Sequence, residues 1–273
     1  MNALVYHFTY EFKTGLRDRA MLLMYYLFPL MFYGMLGAIM PGINPFFSES
    51  MLPAMVVFAA MASAFLGLPA PLVMARESGV LRSYRINGIP RTAITVIPAL
   101  AHVIHVSVVS TIILLSAKPL FGGTMPQSGP LFLLVAALII ISMASYGTLL
   151  GVIAPNSRML VFLGQMIFLP STIIGGLMFP SELLPGAFRH VSLLLPPAHA
   201  MNALQGLAMG KETLFPASLS LAVLVIGGVV SLTLALVLFS WDAKEQKPSR
   251  SLWALVACAP YVIAAALSAL GSL

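Results

Sequence analysis

His102 and His105 are the residues best placed to do chemistry in this chain of 273 amino acids. They stand three apart, so on a helix their imidazoles share one face. The run around them is apolar enough to cross a bilayer, and an ionisable pair at that depth could relay a proton or hold a metal ion. A relay needs an acid to work with, and none of the eight Asp and Glu residues falls inside an expected span. The plainer alternative is a neutral pair hydrogen-bonded to a neighbouring span. Other reactive sets are weaker. Gly206-Leu-Ala-Met-Gly-Lys211 is one residue short of a P-loop and continues with Glu212. No Ser/His/Asp set or carboxylate pair is recognisable at membrane depth. The single cysteine, Cys258, excludes an internal disulfide and any multi-cysteine metal site.

The elements that would carry these residues belong in lipid. Of the whole chain, 60% is apolar and 8% charged, against roughly 25% charged in soluble domains. The expected fold is therefore an all-α integral membrane protein of one domain. Seven segments reach the length of about 20 apolar residues that a span needs: 20–40, 51–75, 92–117, 130–153, 159–179, 215–240 and 252–271. Internal prolines (Pro69 and Pro71, Pro98, Pro170, Pro260) predict kinks in the second, third, fifth and seventh. Residues 1–19 are too polar to span. Leu4, Phe8, Phe12 and Leu16 recur every fourth residue there, the stripe of an amphipathic helix lying in the interface. No removable signal peptide is expected.

Orientation follows from the basic residues. With the N-terminus in the cytoplasm, the inner side holds Lys13, Arg17, Arg19, Arg76, Arg82, Arg85, Arg91, Arg158, Lys244, Lys247 and Arg250, while Lys118, Arg189 and Lys211 are outside. The net charge of +6 thus clusters at the ends of apolar runs, and no nucleic-acid partner is expected. The charge pattern also makes 180–214 a pair of short outer helices that dip in and return, broken at Pro196-Pro197. A full crossing there would put Lys244, Lys247 and Arg250 outside. Backbone of that kind must be buried in protein or face water.

Residues 74–91 are the largest polar island in the first half of the chain. Val80, Leu81 and Tyr84 are spaced to share one side of a short helix. Ser78 is expected to cap it with Glu77 at its start. Asn87-Gly88 offers a left-handed stop, and Pro90 prevents resumption. A short cationic helix with one apolar edge, strung between spans, looks like a plug for another protein's groove. Elsewhere, Ser142, Ser145, Thr148, Gly147 and Gly151 give the fourth span a small side, which reads as close helix packing ahead of substrate contact. Phe28, Phe32, Met61, Phe65, Met166 and Phe168, in spans one, two and five, would suit a pliable apolar cavity. They would equally suit lipid or core.

Arg76-Glu77-Ser78-Gly79-Val80-Leu81-Arg82, followed by Gly88-Ile89-Pro90-Arg91, resembles the cytoplasmic signature of type-2 ATP-binding-cassette (ABC) permeases. Gly175-Gly-Leu-Met-Phe-Pro180-Ser-Glu-Leu-Leu-Pro185, then Leu195-Pro-Pro-Ala-His-Ala-Met-Asn202-Ala-Leu204, resembles the same family's fifth-span exit and re-entrant pair. The likeness covers about 1–240. Val80 and Arg82 depart from the family's usual threonine and acid. The resemblance implies an interfacial helix (1–19), a six-span exporter core (20–240) and an extra segment (241–273) with a seventh span. It makes 76–91 a coupling-helix loop and 180–214 the re-entrant outer helices. Arg76, Glu77, Ser78, Gly79, Leu81, Arg82, Tyr84, Arg85, Gly88, Pro90 and Arg91 would couple to a separate cytoplasmic ABC ATPase, which holds Mg-ATP. This chain would carry no cofactor, metal or catalytic residue. Pro180, Pro185, Pro196, Pro197 and Asn202 would form a re-entrant gate. A second permease copy or a homologue would complete the pathway in the cytoplasmic membrane.

The expected function is export of an amphipathic or hydrophobic molecule (drug, lipid or lipophilic peptide), with a glycan ranked lower. Two alternatives come from other classes: a proton-linked carrier built on His102 and His105, and a non-transporting membrane subunit of an ATPase-linked sensor.

Overall fold

The computed structural model describes residues 3–44, 47–178, 185–242 and 252–270. Among the described residues, every regular element is a helix, and seven helices are long and apolar enough to cross a bilayer. Helix α1 (Ala3–Arg17) follows from the four-residue stripe. Asp18 ends it and caps the next helix, its carboxylate accepting from the Ala20 and Met21 amides at 2.8 and 3.1 Å. An acid there meets the positive end of the helix dipole of α2 (Arg19–Ile43).

The chain returns as α3 (Phe47–Glu77), the central helix of the bundle. Every residue from Ser50 to Phe65 is buried. Half of that stretch is Ala or Met, and it is apolar nearly all round and narrow or pliable enough to be surrounded on every side. The short α4 (Val80–Ile86) turns the chain into α5 (Arg91–Phe121), then α6 (Gly129–Ile153) and α7 (Ser157–Ile174). Helices α8 (Gly186–Ser192) and α9 (Pro196–Ala203) form the predicted pair of short helices, and α9 runs on as a widened turn to Ala208. Helices α10 (Ala217–Leu238) and α11 (Leu252–Ala269) close the bundle. Each expected span is matched within a few residues.

The small side of α6 packs helices together. A Cβ at Gly147 would run into the Ala64 carbonyl oxygen, and one at Gly151 would sit 3.0 Å from the Pro69 Cβ. On α10, a Cβ at Gly228 would lie 3.0 Å from the Ser142 Cα. The Ser145 and Thr148 hydroxyls donate to carbonyls of their own helix, Ile141 at 3.0 Å and Ala144 at 2.8 Å.

One local expectation is corrected. Ser78 and Glu77 do not start α4: they finish α3, and Gly79, at φ +78°, begins the new helix without a side-chain cap. The direction reverses so sharply that only the left-handed region serves, which a glycine enters at no steric cost. The break expected at Pro196-Pro197 is present: α8 stops at Ser192, and the two prolines open α9, where proline lacks only an amide that would have no partner. Helix α11 is tightly wound to Cys258 and regular afterwards. It docks through Tyr261, whose hydroxyl meets that of Tyr146, itself donating to the Leu224 carbonyl at 2.6 Å.

Candidate functional site

At one end of the bundle, α4 is bracketed by two left-handed glycines, Gly79 and Gly88 at φ +73°. The stop at Asn87-Gly88 forms as predicted, with the Ile89 amide reaching back to the Tyr84 carbonyl at 3.0 Å. Pro90 then directs the chain into α5, whose first residue, Arg91, is exposed. Leu81, 1% exposed, anchors α4 among Ile94, Leu149 and Val152, with Tyr84 packed alongside. The opposite side carries Val80, Arg82, Arg85 and Ile86, the last 85% exposed. Val80 therefore does not share the buried edge of Leu81 and Tyr84. Arg82 is paired with Asp242, just past the end of α10, which fastens the outer side of α4 to the bundle.

Arg76 and Glu77 point elsewhere. Arg76 is 2% exposed, and its guanidinium donates to the carbonyls of Gly151 and Val152, both at 3.0 Å, and of Ala154. The Glu77 carboxylate accepts from the amide of Ser157 at 3.1 Å and from its hydroxyl. Both side chains are engaged by the turn between α6 and α7, not offered on the outer face of α4.

Under α4 lies a cavity of about 180 Å³, walled by Tyr10, Glu11, Leu81, Tyr84, Thr95 and Pro98 among others. Burial pushes the Glu11 carboxyl above its usual range and the Tyr84 phenol above its own. Helix α1, expected in the interface, spends part of its stripe on protein. Phe12 stacks on the His105 ring at 4.5 Å and 4°.

His102 and His105 are both fully buried. The Ser63 hydroxyl donates to the Ala59 carbonyl at 2.6 Å, so the His102 Nε2 proton is the donor in the 3.0 Å bond to Ser63 Oγ. His105 Nδ1 bonds the Tyr26 hydroxyl at 2.7 Å. The pair thus joins α5 to α2 and α3, the neighbouring spans. Among the described residues, no group of three or more His, Cys, Asp or Glu could hold a metal ion.

The six expected cavity residues do not gather round one space. Phe28, Phe32 and Phe168 pack around Phe58, with Phe32 stacked on it at 4.0 Å, and Met61 is fully buried beside them in the core. Phe65 and Met166 instead line an apolar groove of about 750 Å³ between α7 and α11. Of the expected gate, Pro180 lies outside the described residues and Pro185 is exposed. Pro196 is half-buried, and Pro197 and Asn202 are buried. His199 steadies the hairpin by donating from Nε2 to the Leu193 carbonyl at 2.8 Å. Sequence reasoning missed Ser157 and Asp242. Ser157 had a signal, since Pro155-Asn156 announces a helix start and Asn156 does cap α7, at 2.8 Å from the Met159 amide. Asp242 had none beyond being an acid near the end of a span.

From residue 3 to residue 209, α1 through the widened turn after α9, the chain matches the sequence profile of the ABC-2 type transporters. This chain belongs to the ABC-2 type transporter family. The match ends short of the 1–240 expected from the motifs, leaving α10 and α11 outside it. The ABC-2 chain is 30% identical over 130 residues to inner membrane transport permease YhhJ of Escherichia coli, covering 46% of this chain and 34% of that one. It is 31% identical over 77 residues to nodulation protein J of Rhizobium meliloti, covering 28% of this chain and 29% of that one. A second nodulation protein J, from Rhizobium leguminosarum, is 27% identical over 77 residues, 28% of this chain and 30% of that one. The aligned stretches thus span about a third of the length of these relatives. No solved structure is a significant match. The chain is thereby a multi-pass helical membrane protein of that transporter family, with seven helices among its described residues long and apolar enough to cross a bilayer.

Proposed function

We propose that this ABC-2 permease is the membrane half of an exporter in the cytoplasmic membrane, with its N-terminus inside. A separate ATPase subunit holds Mg-ATP, receives α4 in a surface cleft and supplies the free energy. A second permease, identical or homologous, completes the pathway. The transported molecule is amphipathic or hydrophobic: a drug, a lipid or a lipophilic peptide. The groove lined by Phe65, Met166 and α11 supports that substrate class, and the bias of basic residues toward one side supports the orientation.

One observation carries the reading. Helix α4 is rigidly seated by Leu81 and the Arg82–Asp242 pair, yet presents Val80, Arg85 and Ile86 outward. Ile86, 85% exposed, beside exposed Val80 on a braced cationic helix, supports docking into a protein cleft.

Co-purification with an ABC ATPase, and ATP hydrolysis by the complex that responds to a lipophilic test compound, would support the proposal. Arg82→Glu with Arg85→Glu should abolish assembly. Because the first change also sets two acids against each other at Asp242, Arg85→Glu with Ile86→Ser separates docking from local packing. Intact assembly of both variants would argue against α4 as the docking element. Vesicles in which the purified chain alone concentrates a solute on a pH gradient would replace this reading with a carrier.

A further inference from the structure

Arg76 and Glu77 are adjacent, opposite in charge, and each holds the end of a different helix. The guanidinium donates to the Gly151, Val152 and Ala154 carbonyls at the close of α6, where the helix dipole is negative. The carboxylate accepts from the Ser157 amide and hydroxyl at the start of α7, where the dipole is positive. Each charge has the sign its helix end prefers. Between the two ends lie only Ala154, Pro155 and Asn156, so the last turn of α3 clasps the whole α6–α7 turn.

The clasp is placed two residues, Ser78 and Gly79, before the docking helix. Ser78 ends α3 and Gly79 begins α4, so along the chain a displacement of α4 meets Glu77 and Arg76 within a few residues. With the arginine alone, α6 would follow α3, while α7 could still pivot about Pro155 and Asn156. Glu77 removes that freedom. Arginine suits its half because a planar fork reaches three carbonyls at once, which an ammonium does not.

We propose that Arg76 and Glu77 are positioning residues for transport: they convert movement of α4 into movement of α7 and make no contact with the ATPase. The proposal rests on the exporter reading above and names the part that transmits the stroke.

The test is hydrogen–deuterium exchange on the assembled permease–ATPase complex, nucleotide-free and trapped with ATP and vanadate, followed at residues 80–88 and at residues 153–160. The unmodified complex should respond to nucleotide in both segments. Glu77→Ala with Ser157→Ala changes an exposed residue and a half-buried one, so the complex should assemble and hydrolyse ATP, and α4 should respond as before. The response at 153–160 should fall about tenfold, in line with loss of a charge-assisted hydrogen-bond pair. Glu77→Gln, whose amide oxygen still accepts, should keep most of it. A merely structural role would alter exchange equally with and without nucleotide. An unchanged nucleotide response at 153–160 in the double variant overturns the clasp alone. An unmodified complex whose α4 ignores nucleotide overturns the exporter reading and the clasp with it.

Discussion

Arg76 and Arg85 lie nine residues apart in one polar stretch and do opposite things. Arg76 is turned inward, 2% exposed, with its fork on three carbonyls, whereas Arg85 stands on the open side of α4 beside Ile86. Nothing in the residue type separates them. What differs is the neighbour. Arg76 stands in the last turn of the central helix, next to the C-terminus of α6, whose last carbonyls need donors. Arg85 follows a left-handed glycine that turns α4 so that Leu81 packs inward and Arg85 is left on the open side. A family motif that looks like one contact surface is therefore two devices, one holding the permease together and one facing out.

The comparison is broken most sharply from its inward side. Arg76→Leu should cost about 3 kcal/mol or more, since it strands buried carbonyls at the end of α6. A detergent melting curve would show it, and an unchanged midpoint would mean that α6 does not depend on the guanidinium. Gly147→Val should cost about 2 kcal/mol, because its side chain meets the Ala64 carbonyl and forces α3 and α6 apart.

Between the two sides lies Glu11, whose carboxyl burial raises above 4.5. The folded state then holds its proton more tightly than the unfolded chain does. The stability this contributes is complete below 4.5 and is lost as pH rises through the folded value. Glu11→Gln should flatten that part of the melting temperature against pH; an unaltered profile would assign the dependence to another group. The outward side gives the smallest change in stability. Ile86→Ser should move the melting point by less than about 0.5 kcal/mol equivalent, yet reduce capture of the ATPase in a pull-down. A large loss of stability with capture intact would reverse the assignment of faces.

Much of the layout was legible beforehand because bilayer length and hydrophobic period are local properties. The seven spans, the short helix between the second and third, its Asn87-Gly88 stop and the paired helices of 186–203 could be read directly. The small side of the fourth span also packs as its glycines indicated. The site was less legible. Leu81 and Tyr84 pack inward as their spacing implied, but Val80, the first residue of the helix, is exposed. The six candidate cavity residues divided between an aromatic knot and a groove, because apolar side chains carry no mark of which apolar neighbour they will meet. Asp242, some 160 positions from Arg82 in the chain, could not be matched to it by any local pattern.

Composition and period thus determined that this chain is a bundle of membrane-crossing helices, and its glycines, prolines and polar caps marked where many of those helices start or stop. Only the folded bundle decided which charges face inward. A lone arginine is costly to bury, and it becomes favourable inside only where helix ends from distant parts of the chain converge to supply three acceptors. That convergence is a property of packing, and it separates Arg76 from every other basic residue in the same stretch.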